Sequence, residues 1–367
     1  MAGDEKKKKT RRGKEPKTCT SRESIDEDDG TQVESRQKAK KTRKPMTRRT
    51  RQPTNRDHYK PLQDTIAHQF LRTFCLETNK KGVDGLLEEF NAIKAETIAK
   101  PPMTAQTTNL QNGKNRYGDV CCTDATRVVL KWPPGGSDYI HANWIDYRGK
   151  RDFICTQGPT VDSIDDFWRM IWQEKCKAIV MLCEIMEQGR RKCEPYWPSE
   201  KDGVMCTKVG LKVKNLGIER HEEAMLTVAK LQVSSDSGGE PLEVTHIKWN
   251  NWPDRGAPSN KLAPFLLLKQ LQDKAPVVVH CSAGIGRTGT IVAIDMALQT
   301  VNAKESLNMA TVVKELRSKR HGSVQMDVQY LYIHRSLMEY AKNISIVTGD
   351  QIEPFCIRYD AFMQSRG

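Results

Sequence analysis

The sequence predicts an α/β fold between residues 61 and 345, and three observations support this prediction. Apolar residues recur at helical spacing at both ends of this region. Between these ends lie short apolar runs, rich in β-branched residues and separated by proline and glycine turns. One of these runs, "APVVVH", is continuously apolar, which is typical of a central strand with parallel neighbours on both sides.

The first half of this region predicts two helices, three strands and a third helix. Helical spacing is present in "PLQDTIAHQFLRTFCLETNKKG", which ends at Gly82, and in "VDGLLEEFNAIKAETI". The strands are "RVVLKW", "YIHANWIDY" and "RDFICTQGP", with the turn "PPGGSD" after the first. The segment "SIDDFWRMIWQEK" then predicts an amphipathic helix with Ser163 as its N-cap.

The second half begins with a buried strand, "AIVMLC", and a meander of alternating strands from about residue 205 to 249. The segment "SNKLAPFLLLKQLQDK" predicts a helix capped near Ser259. The apolar strand covers residues 276–280, and three helices follow near 287–302, 306–319 and 325–343. Residues 346–367 are expected to form a loose C-terminal tail.

The positive charge of the chain is concentrated at its N-terminus. Residues 1–60 hold 20 Lys and Arg against 10 Asp and Glu, so they carry +10 of the net +13. This segment has almost no large apolar residues, and we predict a disordered basic tail. We expect this tail to bind a nuclear-import receptor or an anionic surface of lipid or nucleic acid. The alternative is a solvated tail with no dedicated partner. The expected location is cytoplasmic, with the nucleus as the alternative.

Several classes of protein are excluded by what the sequence lacks. It has no run of 18 apolar residues and no apolar segment near its N-terminus, so we expect neither a membrane span nor a secretory signal. The 11 cysteines are odd in number and form no CxxC pair, which favours reduced thiols in the cytosol or nucleus. No metal-ligand spacing occurs, so no metal or cofactor is expected, and we expect a monomer.

The strand at 276–280 leads into a loop of small residues that ends at an arginine. This loop, Cys281 to Arg287, lets successive backbone N–H groups point inward at the start of a helix, which makes a cradle for an anion. The planar guanidinium of Arg287 suits two oxygens of one phosphate, and the same groups stabilise a thiolate. The loop therefore predicts a site that holds a nucleophilic cysteine against a bound phosphate.

The spacing alone is weak, because Cys-x5-Arg occurs twice. The second match runs from Cys121 to Arg127. It contains no glycine, and its Asp124 would repel a phosphate. The first match is therefore the candidate.

The segment "HCSAGIGRTG", residues 280–289, resembles the signature of the tyrosine-specific protein phosphatases at every fixed position. Five further motifs resemble segments of that family and occur in its order: "KNRYGDV", "DYIHANWI" with "TQGP", "EQGRRKCEPYWP", "WPDRG" and "QMDVQY". Three residues depart from the pattern. His141 replaces an asparagine, Met326 replaces a threonine, and Arg255 stands where the family often has Phe or His.

The resemblance implies a highly twisted mixed β-sheet flanked by helices, with the phosphate-binding loop between a central strand and a helix. It also implies one non-receptor phosphatase domain over residues 61–345. The implied activity is hydrolysis of phosphotyrosine in signalling proteins through a phosphocysteine intermediate.

The resemblance also assigns roles to individual residues. Cys281 is implied to be the nucleophile and Asp254 the general acid and then the general base. Arg287 binds the phosphate, Gln325 orients the attacking water, and the Thr288 hydroxyl bonds the thiolate. Substrate-binding residues are implied to be Tyr117, which sets the pocket depth, Asp119, Ser282, Ala283, Gly284, Ile285, Gly286 and Gln329. Supporting residues are implied to be His280, Glu187 and Lys192.

Three alternatives were weighed against this assignment. Inactive phosphotyrosine-binding relatives lose the cysteine, the aspartate or the arginine, and all three are present here. Dual-specificity and lipid phosphatases lack the "KNRY" loop, which this chain has at Lys114 to Tyr117. A nucleic-acid-associated role of the basic tail could coexist with catalysis.

Overall fold

The structure, a computed structural model, describes residues 64–220 and 225–366, so the predicted basic tail lies outside the described residues. The helices are α1 Thr65–Glu96, α2 Thr104–Thr108, α3 Ile164–Gln173, α4 Ala263–Gln270, α5 Gly286–Asn302, α6 Met309–Lys319, α7 Asp327–Asn343 and α8 Glu353–Gln364. The strands are β1 Arg127–Val129, β2 Tyr139–Tyr147, β3 Lys150–Gln157, β4 Ala178–Met181, β5 Met186–Glu187, β6 Arg190–Arg191, β7 Val204–Cys206, β8 Leu211–Arg220, β9 Leu226–Ser235, β10 Leu242–Trp249 and β11 Val277–Cys281.

Nine of these strands form one twisted mixed sheet in the order β1-β2-β3-β11-β4-β10-β9-β8-β7, and β5 pairs with β6 in a separate hairpin. The pairs β3–β11, β11–β4 and β4–β10 are parallel, and the outer pairs are antiparallel. The predicted α/β fold with a mixed sheet flanked by helices is therefore confirmed.

Strand β11 lies in the middle of the sheet, and this position explains its composition. All five of its residues are buried, because parallel strands cover both its edges and α5 packs against it. Its last residue, Cys281, pairs in register with Gln157 at the end of β3. The carboxyl ends of the parallel strands therefore meet where the loop from β11 to α5 begins, which is where open α/β sheets bind ligands.

The two helices predicted before residue 98 form a single element with a break. Gly82 has φ +70°, so the helical axis changes direction there while the residues on both sides stay helical. Leu71 and Phe74 before the break and Leu86 and Phe90 after it are buried on one core-facing side. The apolar spacing in each half is thus explained by packing against the rest of the domain.

Of the two predicted helix caps, the position of Ser163 is confirmed and the position near Ser259 is shifted. Ser163 lies at the N-cap of α3, but its hydroxyl oxygen accepts from the Thr160 N–H (2.8 Å), so it closes the preceding 3-10 turn. For α4 the N-cap residue is Leu262 and not Ser259, and the side-chain oxygen of Asn260 accepts from the N–H groups of Leu262 (2.9 Å) and Ala263 (3.0 Å). Asn260 is closer to the free amides of the first turn.

The C-terminal segment also differs from the expected loose tail. Residues 353–364 form α8, in which Phe355 and Tyr359 are each 1% exposed. The side-chain oxygen of Asn79 on α1 accepts from the Phe355 N–H (3.0 Å) and joins the two helices. Two aromatic residues at i, i+4 spacing give α8 a buried face. The helix was not predicted, because the sequence around these two residues is short and polar.

Within the described residues, no helix is both long and apolar enough to cross a membrane.

Candidate active site

The loop between β11 and α5 folds back on the sulfur of Cys281. The Gly284 N–H donates a hydrogen bond to the Cys281 Sγ (3.2 Å). Gly284 has φ +71°, and a Cβ placed there would lie 2.0 Å from the carbonyl oxygen of Thr156. A side chain at position 284 is therefore excluded both by backbone conformation and by space.

The carbonyl groups of this loop are turned away from the cysteine and held by donors outside the loop. The Gly158 N–H donates to the Ser282 carbonyl (3.0 Å), and the Val324 N–H donates to the Ile285 carbonyl (3.0 Å). Arg320 donates to two further carbonyls, from Nη2 to Ala283 (3.0 Å) and from Nε to Gly284 (3.1 Å). Because N–H and C=O point in opposite directions from a trans peptide, this arrangement directs the loop amides inward. The loop is thus an anion cradle of the predicted kind.

Arg287, in the first turn of α5, is buried and fixed by a carboxylate. Its guanidinium forms two parallel bonds to Glu187, both of 2.6 Å, and a third to the Leu182 carbonyl (2.8 Å). Burial by itself lowers the pKa of this guanidinium, but the bonds to Glu187 reverse that effect and raise it. Arg287 is therefore held charged and in a single orientation at the wall of the cavity described below.

Asp254 lies in the loop between β10 and α4 and meets two cations. Its Oδ1 accepts from Arg287 Nη2 (2.9 Å), and its Oδ2 accepts from Lys192 Nζ (2.6 Å). Partial burial raises the pKa of this carboxyl, but the bonds to Lys192 and the charge of Arg287 outweigh burial and leave it lowered. In this geometry Asp254 is a carboxylate that occupies one donor of Arg287.

Together these residues surround a small cavity of about 110 Å³. Its walls bring together nearly all the predicted catalytic and substrate-binding positions. The lining residues are Tyr117, Asp119, Val120, Lys192, Asp254, Arg255, Cys281, Ser282, Ala283, Gly286, Arg287, Gln325 and Gln329. The described residues contain no group of three side chains suited to holding a metal ion.

Tyr117 and its loop form one side of this cavity. The Tyr117 hydroxyl and the Ser282 Oγ are 2.8 Å apart, which ties the tyrosine to the cradle. Arg116 anchors the same loop by donating to the carbonyls of Gly158 (2.9 Å) and Pro159 (2.5 Å). The side chain of Tyr117 is thus held at the wall of the cavity that Cys281 also lines.

Two glutamines lie beside the cradle on the opposite side. A Cβ on Gly286 would come within 3.0 Å of Gln329 Nε2 and 3.3 Å of Gln325 Oε1, so both amides face the loop. The Gln329 oxygen also accepts from the N–H groups of Gln325 (3.0 Å) and Met326 (3.1 Å) and caps α7. Gln325 is exposed, which leaves its amide free to meet a water molecule in the cavity. Met326 contributes only its backbone here.

Thr288 and His280 have different surroundings from one another. The Thr288 hydroxyl is fully buried and has no hydrogen-bond partner among the described residues, so its predicted bond to the thiolate stays a prediction. Burial lowers the pKa of His280 to about 4, so its ring is neutral. His280 Nε2 lies 2.7 Å from the Tyr196 hydroxyl, which also meets His246 (2.7 Å). This network packs behind the cysteine and fixes the end of β11.

Sequence reasoning missed the residues that hold the cradle from behind. Arg320 is fully buried and, besides its two carbonyl bonds, donates to the side-chain oxygen of Asn143 (2.7 Å) and to Nδ1 of His141 (3.2 Å). His141 Nε2 in turn meets the Val120 carbonyl (3.0 Å). His141, noted only as a departure from the family pattern, therefore links the Tyr117 loop to the cradle through Arg320.

The second Cys-x5-Arg match has a structural role. Asp124 accepts from the N–H groups of Thr104 (2.6 Å) and Ala105 (3.1 Å) and so caps α2, and Arg127 pairs with Asp138 (2.7 Å). Cys121 itself is buried, and burial raises the pKa of its thiol. None of these groups lines the cavity.

A loop of inward amides, a cysteine and an arginine at the start of a helix form a site suited to an anion. Comparison with known proteins agrees with this description. The sequence profile of the family described as Protein-tyrosine phosphatase matches residues 111–339. The chain belongs to the protein-tyrosine phosphatase family.

Several curated relatives are similar over most of this chain. Human Tyrosine-protein phosphatase non-receptor type 9 is 36% identical over 296 residues, which is 74% of this chain and 49% of that protein. Human Receptor-type tyrosine-protein phosphatase C is 38% identical over 282 residues, 72% of this chain and 21% of that protein. Drosophila melanogaster Tyrosine-protein phosphatase 99A is 36% identical over 287 residues, 73% of this chain and 22% of that protein. The match thus spans half or less of each relative.

Proposed function

We propose that this chain hydrolyses phosphotyrosine in proteins through a phosphocysteine intermediate. The observation that carries the proposal is the position of Cys281 inside a cradle of inward amides, next to a guanidinium that Glu187 holds in place. A phosphate dianion bound there accepts from the loop amides and from Arg287. Its phosphorus then lies against the sulfur of Cys281, as a nucleophilic displacement requires.

In the first step the thiolate of Cys281 attacks phosphorus and the bond from phosphorus to the tyrosyl oxygen breaks. Asp254 gives its proton to that oxygen, so the leaving group departs as neutral tyrosine. In the second step Gln325 orients a water molecule, and the Asp254 carboxylate takes one of its protons. The water oxygen bonds to phosphorus, the bond from sulfur to phosphorus breaks, and inorganic phosphate leaves with the thiolate restored.

The lowered pKa of Asp254 fits this scheme only if substrate changes it. In the ligand-free geometry Asp254 occupies a donor of Arg287. An incoming phosphate takes over that donor and brings two negative charges close to the carboxylate. Both changes favour the protonated carboxyl and raise its pKa in the complex. Substrate binding thereby prepares the proton that the first step consumes.

The proposed substrate class rests on Tyr117, which is tied to the cradle through Ser282 and lines the same cavity as Cys281. The family resemblance implies that this ring sets the pocket depth, so that a phosphotyrosine reaches the sulfur. A phosphoserine side chain is shorter and leaves its phosphate above the cradle. Sorting by length therefore selects phosphotyrosine. A nuclear-import receptor or an anionic surface as the partner of the basic tail is a separate proposal.

The test of this function compares two peptides that differ only in the phosphorylated residue. The chain is expected to release phosphate from the phosphotyrosyl peptide and to leave the phosphoseryl peptide intact, with phosphate release as the measurement. Tight binding of the phosphotyrosyl peptide without phosphate release would contradict hydrolysis and support a binding module. Equal turnover of both peptides would contradict the selection by length.

The ion pair between Lys192 and Asp254 gives a further prediction. Lys192→Met removes a cation that lowers the pKa of Asp254, so this pKa rises in the free protein. The general acid must be protonated, and activity falls as pH rises through its pKa. The descending limb of kcat/KM against pH is therefore expected to move to higher pH in the variant.

Lys212→Met provides the matched control, because Lys212 is an exposed lysine that pairs with Asp236 and does not line the cavity. Its pH profile is expected to coincide with that of the unmodified protein. A descending limb that stays in place or moves to lower pH in Lys192→Met would show that Asp254 is not the group that titrates.

A further inference from the structure

Arg255 shares a tight turn with the proposed general acid. The Gly256 N–H donates to the Pro253 carbonyl (3.1 Å), so Asp254 and Arg255 are the two corner residues of this turn. Trp252 holds the base of the turn, because it is buried and its indole N–H donates to the Gly256 carbonyl (3.2 Å). The two charged side chains are therefore placed by the same few backbone bonds.

The backbone of Arg255 is in the left-handed region, with φ +57°, which non-glycine residues adopt rarely. In this conformation its side chain is exposed and lines the same cavity as Asp254 and Cys281. Arg255 thus stands at the mouth of the phosphate site, where the residues next to a bound phosphotyrosine must pass.

The other two cations of the cavity already have acidic partners. Arg287 pairs with Glu187 and Asp254, and Lys192 pairs with Asp254. Arg255 forms no ion pair with any residue in the described part of the chain. It is therefore the cavity cation that is available to a substrate.

On the opposite side of the mouth, the cation beside Tyr117 is Arg116, whose guanidinium is bonded to the carbonyls of Gly158 and Pro159 and does not line the cavity. The residue after Tyr117 is Gly118, and a Cβ built there would meet nothing within 4 Å. The nearest charged group of that loop in the cavity is Asp119, which is an acid. A substrate carboxylate at the mouth is therefore attracted to the Arg255 side and repelled from the Asp119 side.

We propose that Arg255 selects substrates that carry an acidic residue next to the phosphotyrosine. The planar guanidinium suits a carboxylate through two parallel bonds. Because Arg255 and Asp254 are consecutive in one turn, this ion pair also holds the general acid over the leaving oxygen. The proposal rests on the proposed function and adds to it a preference for acidic phosphotyrosyl sequences, set by the acid loop.

The experiment uses two phosphotyrosyl peptides that differ only in Asp or Asn at the residues flanking the phosphotyrosine. The unmodified chain is expected to favour the Asp peptide by about fivefold in kcat/KM at low salt, the scale of one exposed ion pair. Arg255→Gln is expected to bring this ratio close to one, and Arg255→Lys to retain part of it. Raising the salt concentration is expected to shrink the ratio in the unmodified chain.

Arg151→Gln is the matched control, because Arg151 is an exposed arginine near the start of β3, at the strand end away from the cradle, and its ratio is expected to stay unchanged. The same two peptides are also compared by affinity in the Cys281→Ser variant, so the outcome does not depend on turnover. Absence of a preference in the unmodified chain, or a full preference in Arg255→Gln, would overturn the proposal. A preference in affinity without any turnover would uphold it while contradicting the proposed hydrolysis.

Discussion

Cys281→Ser is expected to reduce turnover of a phosphotyrosyl peptide by roughly 10⁴-fold or more and to preserve binding of the peptide. A serine hydroxyl is a far weaker nucleophile than a thiolate, so the phosphoenzyme no longer forms. The groups that hold the phosphate are unaffected, because the carbonyls of the cradle are fixed by Arg320, Gly158 and Val324 rather than by the sulfur. Phosphate release measures the first effect, and calorimetric titration with the peptide measures the second.

Cys121→Ser is the matched control for this substitution. Cys121 belongs to the second Cys-x5-Arg match, is buried outside the cavity and has neighbours that cap α2. Its variant is expected to keep turnover within about twofold of the unmodified chain. A loss of turnover in folded Cys121→Ser, or near-normal turnover in Cys281→Ser, would assign the nucleophile to the wrong cysteine.

Asp254→Ala is expected to lower kcat on a phosphotyrosyl peptide by roughly 10²–10⁴-fold, the usual contribution of a positioned general acid. Tyrosine is a poor leaving group when it departs unprotonated, because its phenol has a pKa near 10. The defect is therefore expected to shrink with aryl phosphates whose phenols are more acidic. A plot of log kcat against the pKa of the phenol should be steeper for the variant than for the unmodified chain.

The same substitution is expected to strengthen binding of the substrate. Asp254 occupies Arg287 Nη2 at 2.9 Å, and its removal leaves that donor free for phosphate. Kd for the peptide in Asp254→Ala should thus fall while kcat falls too. Asp202→Ala, at an exposed carboxylate that pairs with Lys214, is the control and should change neither quantity. An equal defect for all leaving groups would mean that Asp254 positions the substrate and does not donate a proton.

Much of the candidate site is contained in one continuous stretch of sequence, and that is why it could be predicted. A buried strand, a loop of small residues and a helix follow each other from residue 277 to 302, and each has a local signal. The place of Arg287 in the first helical turn is a consequence of this local order, whereas the lack of room at Gly284 comes from the Thr156 backbone on β3. The α/β class followed in the same way from the periodicity of successive segments.

Errors arose where a local signal had competing partners. Ser163 is at the predicted N-cap position and Ser259 is not, but for both helices the partner of the side-chain oxygen depends on the exact path of the turn. In α8 the two aromatic residues identify a buried helix face only when α1 is known to pack against it. Neighbouring residues alone are therefore insufficient to predict some short helices and the caps of others.

By itself the sequence determined the α/β class, the cradle with Cys281 and Arg287, and the family motifs, because each is encoded by residues that are neighbours in the chain. The family resemblance already implied the support of Arg287 by Glu187, 100 residues away in the chain, but only the tertiary structure decided that Arg320 and His141 hold the cradle from behind. It also decided that Asp254 meets two cations, which lowers its pKa, while Arg255 meets no acid among the described residues. The physical reason is that hydrogen bonds and charges act over a few ångströms in space, and no periodicity in the sequence specifies which distant side chains come that close.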